Sequence, residues 1–157
     1  MIEVKVDGLI ASSDELTALD EEELNQLNFY SGEKGVCLKN EDEHVMISIG
    51  HKRVNRLAAV LLTGRDLIRR TQDDIARAMK PYGYRLLGYR TGNAGGLAAG
   101  SFDYQYEVDG IKMYGETMTA RRGGDLYYLY LYVREENKEA GLRIWKGLTE
   151  SLKWETE

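Results

Sequence analysis

The sequence of 157 residues is poor in several residue types, and each shortage removes a class of structure. Its single cysteine, Cys37, excludes an intramolecular disulfide and fits a reducing compartment. Cys37 lies in a short apolar run without a helix start or a basic cluster, which favours a buried side chain over a reactive thiol. No window approaches the ~20 apolar residues of a membrane span, and the first residues lack the pattern of a signal peptide. We therefore expect a cytoplasmic protein without a membrane span, or a secreted or anchored protein if a leader has been removed.

Histidine, a common metal ligand, is nearly as scarce in the sequence. The two histidines, His44 and His51, flank a strand pattern, and extended chain would place them on opposite faces and roughly 23 Å apart. Neither has a neighbouring cysteine or a helical partner to complete a zinc site, so each is interpreted as a polar residue at a strand end. The acidic run 20–23 lacks the spacing and the turn glycine of a calcium loop and is interpreted as a solvated helix face. We expect no metal and no cofactor.

The composition is that of an ordinary soluble globular protein, with 43% apolar and 30% charged residues. A chain of this length can bury roughly two-thirds of its unfolded surface in one domain, and we expect a single domain spanning residues 1–157. The net charge of −5 argues against nucleic acid as a partner, because nucleic-acid-binding proteins usually concentrate lysine and arginine.

A tyrosine-rich stretch, residues 100–133, predicts a three-strand antiparallel meander. Its first strand alternates aromatic or apolar residues with polar ones, which is the period of a strand with two unlike faces. Asp109-Gly110 follows at once and predicts a two-residue hairpin turn. The second strand, 111–121, turns at Gly123-Gly124 into the third, 126–133. The predicted register places Tyr104 opposite Gly115, where an aromatic ring covers a residue without a side chain.

The same register divides the side chains of the meander between two faces. We name the tyrosine face by its residues, which are Phe102, Tyr104, Tyr106, Tyr128, Tyr130 and Tyr132. The aliphatic face carries Met118, Ala120, Tyr127, Leu129, Leu131 and Val133. A sheet that is apolar on both faces usually carries helices on both sides.

The rest of the chain supplies further predicted elements. A short strand is expected at 3–6, and a helix is expected to begin at Ser12-Ser13-Asp14 and to bury Leu16, Leu19, Leu24 and Leu27. Two strands, 36–39 and 45–50, follow. A helical stripe over 55–82 is interrupted at Thr63-Gly64 and stopped at Pro81, which predicts two helices or one with a weak point. Its mixed charges are interpreted as a salt-bridged solvent face, preceded by one basic spot at 52–56.

Three more elements complete the order. A strand is expected at 84–90, and the glycines of 91–100 are interpreted as a turn or bulge, because no P-loop lysine and no helix follow them. The range 135–153 predicts an amphipathic helix anchored by Trp145, and Trp154 is expected to cover a sheet edge. The fold class is therefore α+β, with a largely antiparallel sheet and helices packed on both faces.

A series of turn and packing residues connects the second half of the chain to a known family. These residues are Asn93-Ala94-Gly95-Gly96-Leu97-Ala98, Phe102-Asp103-Tyr104-Gln105-Tyr106, Asp109-Gly110, Arg122-Gly123-Gly124-Asp125-Leu126-Tyr127 and Leu148-Thr149-Glu150-Ser151-Leu152-Lys153-Trp154. The range 84–154 resembles the C-terminal half of the PsbP-like family, which includes photosystem II extrinsic subunits, Ran-binding relatives and many bacterial proteins. The resemblance implies an α-β-α sandwich. It also implies an adaptor, assembly factor or chaperone rather than an enzyme.

Three functions remain open at this point. The first is a non-catalytic protein-binding module, with Tyr104, Tyr106, Tyr128, Tyr130 and Tyr132 as candidate binding residues, because tyrosine is enriched at interfaces. Its partner would be another protein or a second copy of the chain in a homodimer. The second is a small-ligand or lipid-binding protein with a tyrosine-lined pocket. The third and least favoured is an enzyme using tyrosine, Glu116 or Arg121 as acid-base groups. The alternative to a binding role is structural: a helix covers the tyrosines, which are then ordinary core residues.

Overall fold

The computed structural model describes residues 1–19 and 34–156, which form ten strands and three α-helices. The strands are β1 (Ile2–Val6), β2 (Leu9–Ser13), β3 (Thr17–Ala18), β4 (Lys34–Asn40), β5 (Val45–Arg53), β6 (Arg85–Ala94), β7 (Leu97–Val108), β8 (Ile111–Arg122), β9 (Asp125–Arg134) and β10 (Lys153–Trp154). The helices are α1 (Arg56–Leu61), α2 (Gly64–Ala78) and α3 (Lys138–Glu150), with short 3-10 turns at Lys80–Tyr82 and Glu135–Asn137.

The meander of β7, β8 and β9 has the predicted register throughout. Val108 lies opposite Ile111 across the Asp109-Gly110 turn, whose two residues have φ angles of 50° and 82°. Such positive values are what a primed hairpin turn requires. Tyr104 lies opposite Gly115, and a Cβ on this glycine would meet the tyrosine ring at 2.4 Å. The predicted cover of glycine by tyrosine is therefore confirmed.

The described strands form two antiparallel sheets. The main sheet has seven strands in the order β3-β4-β5-β9-β8-β7-β6, and the small sheet has the order β1-β2-β10. The predicted strand pair at 36–39 and 45–50 is confirmed as β4 and β5, and β5 continues the meander by pairing with β9. The fold is thus α+β and mostly antiparallel sheet, as predicted.

Helix α2 lies on the tyrosine face of the main sheet. Leu67, Ile68 and Ile75 of this helix are buried together with the aromatic rings of β7 and β9. The helix begins at the predicted break, where Thr63 accepts the backbone N–H of Asp66 and the Asp66 carboxylate accepts that of Thr63. This reciprocal cap separates α2 from α1 and confirms the two-helix interpretation.

The aliphatic face is covered by α3 and by the small sheet. Ile144, Trp145 and Leu148 of α3 are buried in one core cluster with residues of β1, β2, β5 and β9. Gly141 allows α3 to approach β9 closely, since a Cβ there would lie 2.8 Å from the Val133 side chain. Strands therefore form much of the cover on this side, and the α-β-α layering implied by the resemblance stays a prediction.

The predicted helix near the N-terminus is wrong in its described part. Ser12 and Ser13, interpreted as helix caps, belong to β2, and Leu16 is buried just before β3. Burial in β2 alternates, with Leu9 and Ala11 inside, so a period of two governs where a period of three to four was expected. The acidic run with Leu24 and Leu27 lies outside the described residues.

The glycine-rich range 91–100 forms a hairpin, as predicted. Gly95 and Gly96 join β6 to β7 with φ angles of 59° and 98°. Trp154 of β10 packs on this turn, and its indole N–H donates to the Ala94 carbonyl at 2.9 Å. This hydrogen bond connects the small sheet to one end of the main sheet.

Candidate functional site

The tyrosine face divides along the axis of α2 into a covered middle and two open ends. Tyr104 and Tyr130 lie in the middle and are buried at 0% and 2% exposure. Tyr106 and Tyr128 are also buried, and Tyr132 is half-buried. The candidate binding residues are therefore brought together as predicted, but most of them form core beneath α2.

At the C-terminal end of α2 the tyrosine face opens into a hollow of about 600 Å³, which we name the methionine hollow. Met46, Met79 and Met113 line it together with Tyr106 and Tyr132. The unbranched thioether chains of methionine adapt to differently shaped apolar partners. Two of the five candidate tyrosines therefore line an open space.

At the N-terminal end of α2 a larger groove of about 1200 Å³ opens between the helix and strands β6, β7 and β8. Leu67 and Ile68 form part of its apolar wall, and the backbone around Gly100 lines its floor. A Cβ added to Gly100 would lie 3.4 Å from the Cβ of Ile68, so the helix lies close to β7 at this point. Its volume exceeds the range of about 300–1,000 Å³ that is typical of small-molecule pockets, which is enough space for a short peptide segment.

The lining of this groove is strongly basic, and we name it the arginine groove. Four of its lining residues are arginines, namely Arg65, Arg69, Arg90 and Arg121, and none is acidic. Several arginines within residues 1–19 and 34–156 form ion pairs with carboxylates, but Arg65, Arg69 and Arg121 are not among them. Arg121 donates to the Ala59 carbonyl of α1. The groove thus concentrates positive charge in a chain whose net charge is −5.

Arg90 differs from the other groove arginines because two carboxylates balance its charge. It pairs with Asp103 of β7, and its other nitrogen lies 3.0 Å from Oε1 of Glu116 on β8. Tyr114 donates to Asp103 at 2.8 Å. Burial raises the pKa of Glu116 above its usual range, although the Arg90 guanidinium opposes this shift. Burial likewise raises the pKa of the Tyr114 hydroxyl, and its hydrogen bond to Asp103 adds to the effect.

The acid-base residues considered for an enzyme are not brought together. Glu116 is buried with the aliphatic side of β8, beneath α3, whereas Arg121 lines the arginine groove on the opposite face. An odd separation along a strand places two side chains on opposite faces. Among the described residues, no three of histidine, cysteine, aspartate and glutamate are grouped to hold a metal ion.

His51 holds a structural position that the sequence did not indicate. Its Nδ1 lies 2.8 Å from Asp7 and its Nε2 lies 2.8 Å from Asp125. The imidazole also packs on Tyr127, with ring centroids 5.1 Å apart. His51 thereby links the turn between β1 and β2 to the start of β9, and it is more than a polar residue at a strand end.

The cysteine lies in the core, as predicted. Burial raises the pKa of the Cys37 thiol to about 11, which agrees with the interpretation of this residue as a buried side chain.

Strand β6 forms the edge of the main sheet beside the arginine groove. It pairs with β7 alone among the described strands, and a bulge at Leu86–Gly88 interrupts the pairing. The strand contains two arginines and no acidic residue, and its Leu87 and Tyr89 side chains are 41% and 51% exposed. An edge with unpaired backbone groups is a place where another extended chain can add.

The groove escaped sequence analysis because two of its arginines, Arg65 and Arg69, lie on a helix of mixed charge, which was interpreted as a solvated face. A count of charge by segment would have indicated it. The range 51–72 contains six lysine or arginine residues and one acidic residue, a net charge of +5. With −5 on the whole chain, the remaining residues carry −10. Such asymmetry indicates an interaction surface for an anionic partner.

Comparisons with known proteins identify the fold. No protein-family model matches the chain, and no curated protein sequence matches it significantly. The cyanobacterial PsbP protein CyanoP from Synechocystis sp. PCC 6803 matches in structure with a TM-score of 0.65 at 14% identity, over 96% of this chain and 95% of that one. LpqN of Mycobacterium tuberculosis, described as involved in cell envelope biogenesis, matches with a TM-score of 0.51 at 11% identity over 99% and 90%. PA94 of Pseudomonas aeruginosa, a protein of unknown function, gives 0.53 at 18% identity over 65% and 67%.

These likenesses correct the extent of the resemblance seen in the sequence. The match to CyanoP covers nearly the whole chain rather than its C-terminal half alone. At identities this low the likeness establishes the fold and nothing about partners or activity. The described helices include none that is long and apolar enough to cross a bilayer. The fold of this chain is therefore PsbP-like.

Proposed function

We propose that the chain is a non-catalytic protein-binding module of PsbP-like fold, with helices on both faces of its main sheet. Its partner is an extended, acidic segment of another protein, which lies along the arginine groove beside the β6 edge. The observation that carries the proposal is the charge of the groove: Arg65, Arg69 and Arg121, whose charges no described ion pair balances, line it and no acidic residue does, in a chain of net charge −5. Complementary potentials steer partners to such surfaces.

The shape of the site favours an extended peptide over a compact ligand. The groove runs beside an edge strand of ten residues, Arg85–Ala94. A peptide strand added to this edge would gain backbone hydrogen bonds, and alternate side chains would point to one face. Carboxylates on that face would meet Arg65 and Arg69 of α2, and the residues between them would point to the opposite face of the sheet.

A second candidate function rests on the methionine hollow. Tyr106 and Tyr132 line it with three methionines, which suits a small apolar ligand or a lipid chain. Such a ligand would be displaced by filling the hollow, so a Met113→Trp variant should lose it. Neither proposed function is catalytic, and the positions of Glu116 and Arg121 on opposite faces of β8 support this choice.

The main proposal is tested with labelled peptides of designed sequence. The probe alternates glutamate and valine, and its mirror in charge alternates lysine and valine. We expect the acidic peptide alone to bind by fluorescence polarisation, with affinity that falls as salt is raised. The Arg65→Gln, Arg69→Gln double variant should bind about tenfold more weakly, since two charge pairs at roughly 0.7 kcal/mol each are lost.

The matched control is the Arg70→Gln, Arg77→Gln double variant, which removes the same charge from the same helix at residues that do not line the groove. A peptide with alternate N-methylated backbone amides tests pairing with β6, because it keeps the charges and removes hydrogen-bond donors. Equal weakening by the groove and control variants would overturn the groove as the site. Undiminished binding of the N-methylated peptide would overturn strand addition.

A further inference from the structure

Helix α1 presents an apolar surface that the core does not use. Leu57, Val60 and Leu61 are 77%, 74% and 81% exposed, more than any other large apolar side chain among the described residues except Met1. We name these three residues the α1 tip. Large apolar side chains grouped at such exposure mark an interaction site more often than isolated ones do.

The α1 tip is held out from the molecule by specific contacts. Asn55 caps the helix by accepting the Leu57 backbone N–H at 2.8 Å. Arg121 of β8 donates to the Ala59 carbonyl, and the Ala59 side chain is buried. Leu62, the next residue after the helix, packs against the core of the tyrosine face. The helix is thus anchored on its inner side while its apolar side faces outward.

Positive charge surrounds the α1 tip along the chain. The range 51–72, which has α1 at its centre, carries a net charge of +5. Arg53 precedes the helix, and Arg65 and Arg69 follow it on α2, and all three are exposed. Arg121, which fastens the helix, adds a further cation from a distant part of the sequence. A short apolar projection within a basic surface is the pattern of interfacial membrane binding.

We propose that the α1 tip docks the protein on an anionic membrane surface. The leucine and valine side chains enter the boundary between headgroups and acyl chains, and the surrounding lysine and arginine residues bind lipid phosphates. Charge complementarity favours a lipid surface over a second copy of the chain, because two copies facing each other through this region would bring like charges together. The inference rests on exposure and charge at α1 and does not depend on peptide binding in the arginine groove.

The test is binding of the full chain to lipid vesicles. One set consists of phosphatidylcholine with a minority of phosphatidylglycerol, and the other consists of phosphatidylcholine alone. We expect co-sedimentation with the anionic set, weaker at high salt, and at least about tenfold less with the neutral set, since each basic residue near the surface contributes about 1 kcal/mol, or about fivefold. The Leu57→Ser, Leu61→Ser double variant should lower the partition coefficient about a hundredfold, or about tenfold for each leucine.

The control variant is Ile111→Ser, which removes an exposed apolar residue at the other end of β8. It should leave vesicle binding unchanged.

A fluorescent residue at the α1 tip measures insertion directly. In a Leu61→Trp variant, we expect the added indole fluorescence to shift to the blue on anionic vesicles and to be quenched by lipids labelled near the headgroup.

Each remaining outcome decides against the proposal. Vesicle binding that the leucine variant retains would mean that charge alone acts and the α1 tip does not insert. An oligomer that the variant dissociates, without vesicle binding by the parent chain, would make the tip a contact between copies. Peptide binding in the arginine groove should be unaffected by the leucine substitutions, so the two proposals succeed or fail separately.

Discussion

The two faces of the main sheet are closed to different extents. The aliphatic face is sealed by α3 together with the small sheet, and its side chains join a single large core cluster. Among the described helices, α2 is the one that covers most of the tyrosine face, and its 15 residues leave a hollow at one end and a groove at the other. Both open spaces that involve the tyrosine face lie just beyond the ends of that helix.

This difference separates structural positions from positions available to a partner. On the aliphatic face even the charged residues Asp103 and Glu116 are buried at 5% exposure. On the tyrosine face exposure varies along the sheet, from 0% at Tyr104 to half-buried at Tyr132. The partner recognition that we propose therefore belongs at the ends of α2, where apolar and basic side chains meet solvent. Three measurements can sharpen or break this contrast.

The largest expected effect distinguishes two neighbours on the tyrosine face. Tyr130 is buried beneath α2, so Tyr130→Ala should lower the free energy of unfolding by about 3–5 kcal/mol, as for other large aromatic residues in cores. Tyr132 lines the methionine hollow and is only half-buried, so Tyr132→Ala should lower it by about 1–2 kcal/mol. Urea unfolding monitored by circular dichroism measures both values. Equal losses would mean that α2 protects the two tyrosines alike and that the hollow is not a true opening.

The meander could be predicted from the sequence because its signals are local. Asp109-Gly110 fixes the turn, and the turn fixes the pairing of every residue from 102 to 117. The small sheet has the same kind of local signal, because Asp7-Gly8 joins β1 to β2 with φ angles of 46° and 89°. It was missed because the leucine spacing after Ser12-Ser13 also suits a helix. The second neighbour of β2 is distant in sequence, since Leu9 pairs with Trp154 of β10.

The arginine groove shows a second limit of sequence reasoning. Arg65 and Arg69 alone indicate a solvated helix surface, and nothing local shows that acidic residues are absent across from them. Only the packing of α2 on β7 and β8 brings Arg121 to the same space. The sequence placed the candidate tyrosines on the correct face of the sheet. It could not predict which of them are exposed, because this depends on where α2 begins and ends relative to the strands.

The second effect is smaller and concerns the one group of buried charges on the aliphatic face. Burial raises the pKa of Glu116 in the folded protein, so the folded state binds its proton more tightly than the unfolded state does. Folding gains stability from this group below its ordinary pKa of 4.5 and loses that stability as pH rises through the raised value. Relative to a Glu116→Gln variant, the wild type should therefore become progressively less stable as pH increases above 4.5.

Unfolding free energies of the two proteins across this pH range give the comparison directly, because the titration of groups that do not interact with Glu116 cancels in the difference. Glu107→Gln is the matched control, since Glu107 is exposed and lies opposite Lys112. A wild type that runs parallel to Glu116→Gln would show that Arg90 fully compensates burial of this carboxylate. The contribution of Glu116 to the free energy of unfolding would then not depend on pH in this range.

The smallest expected effect compares how the two covering helices begin. Thr63 caps α2 through the reciprocal hydrogen bonds with Asp66, whereas Asn137 makes no capping hydrogen bond at the start of α3. Thr63→Ala should lower the free energy of unfolding by about 1 kcal/mol, and Asn137→Ala should change it by less than about 0.5 kcal/mol. Because α2 covers the tyrosine face, loss of its cap should also increase amide hydrogen exchange in the first turn of α2, beside the arginine groove. Equal changes in both variants would mean that packing on the sheet, rather than the cap, fixes where α2 begins and hence where the groove opens.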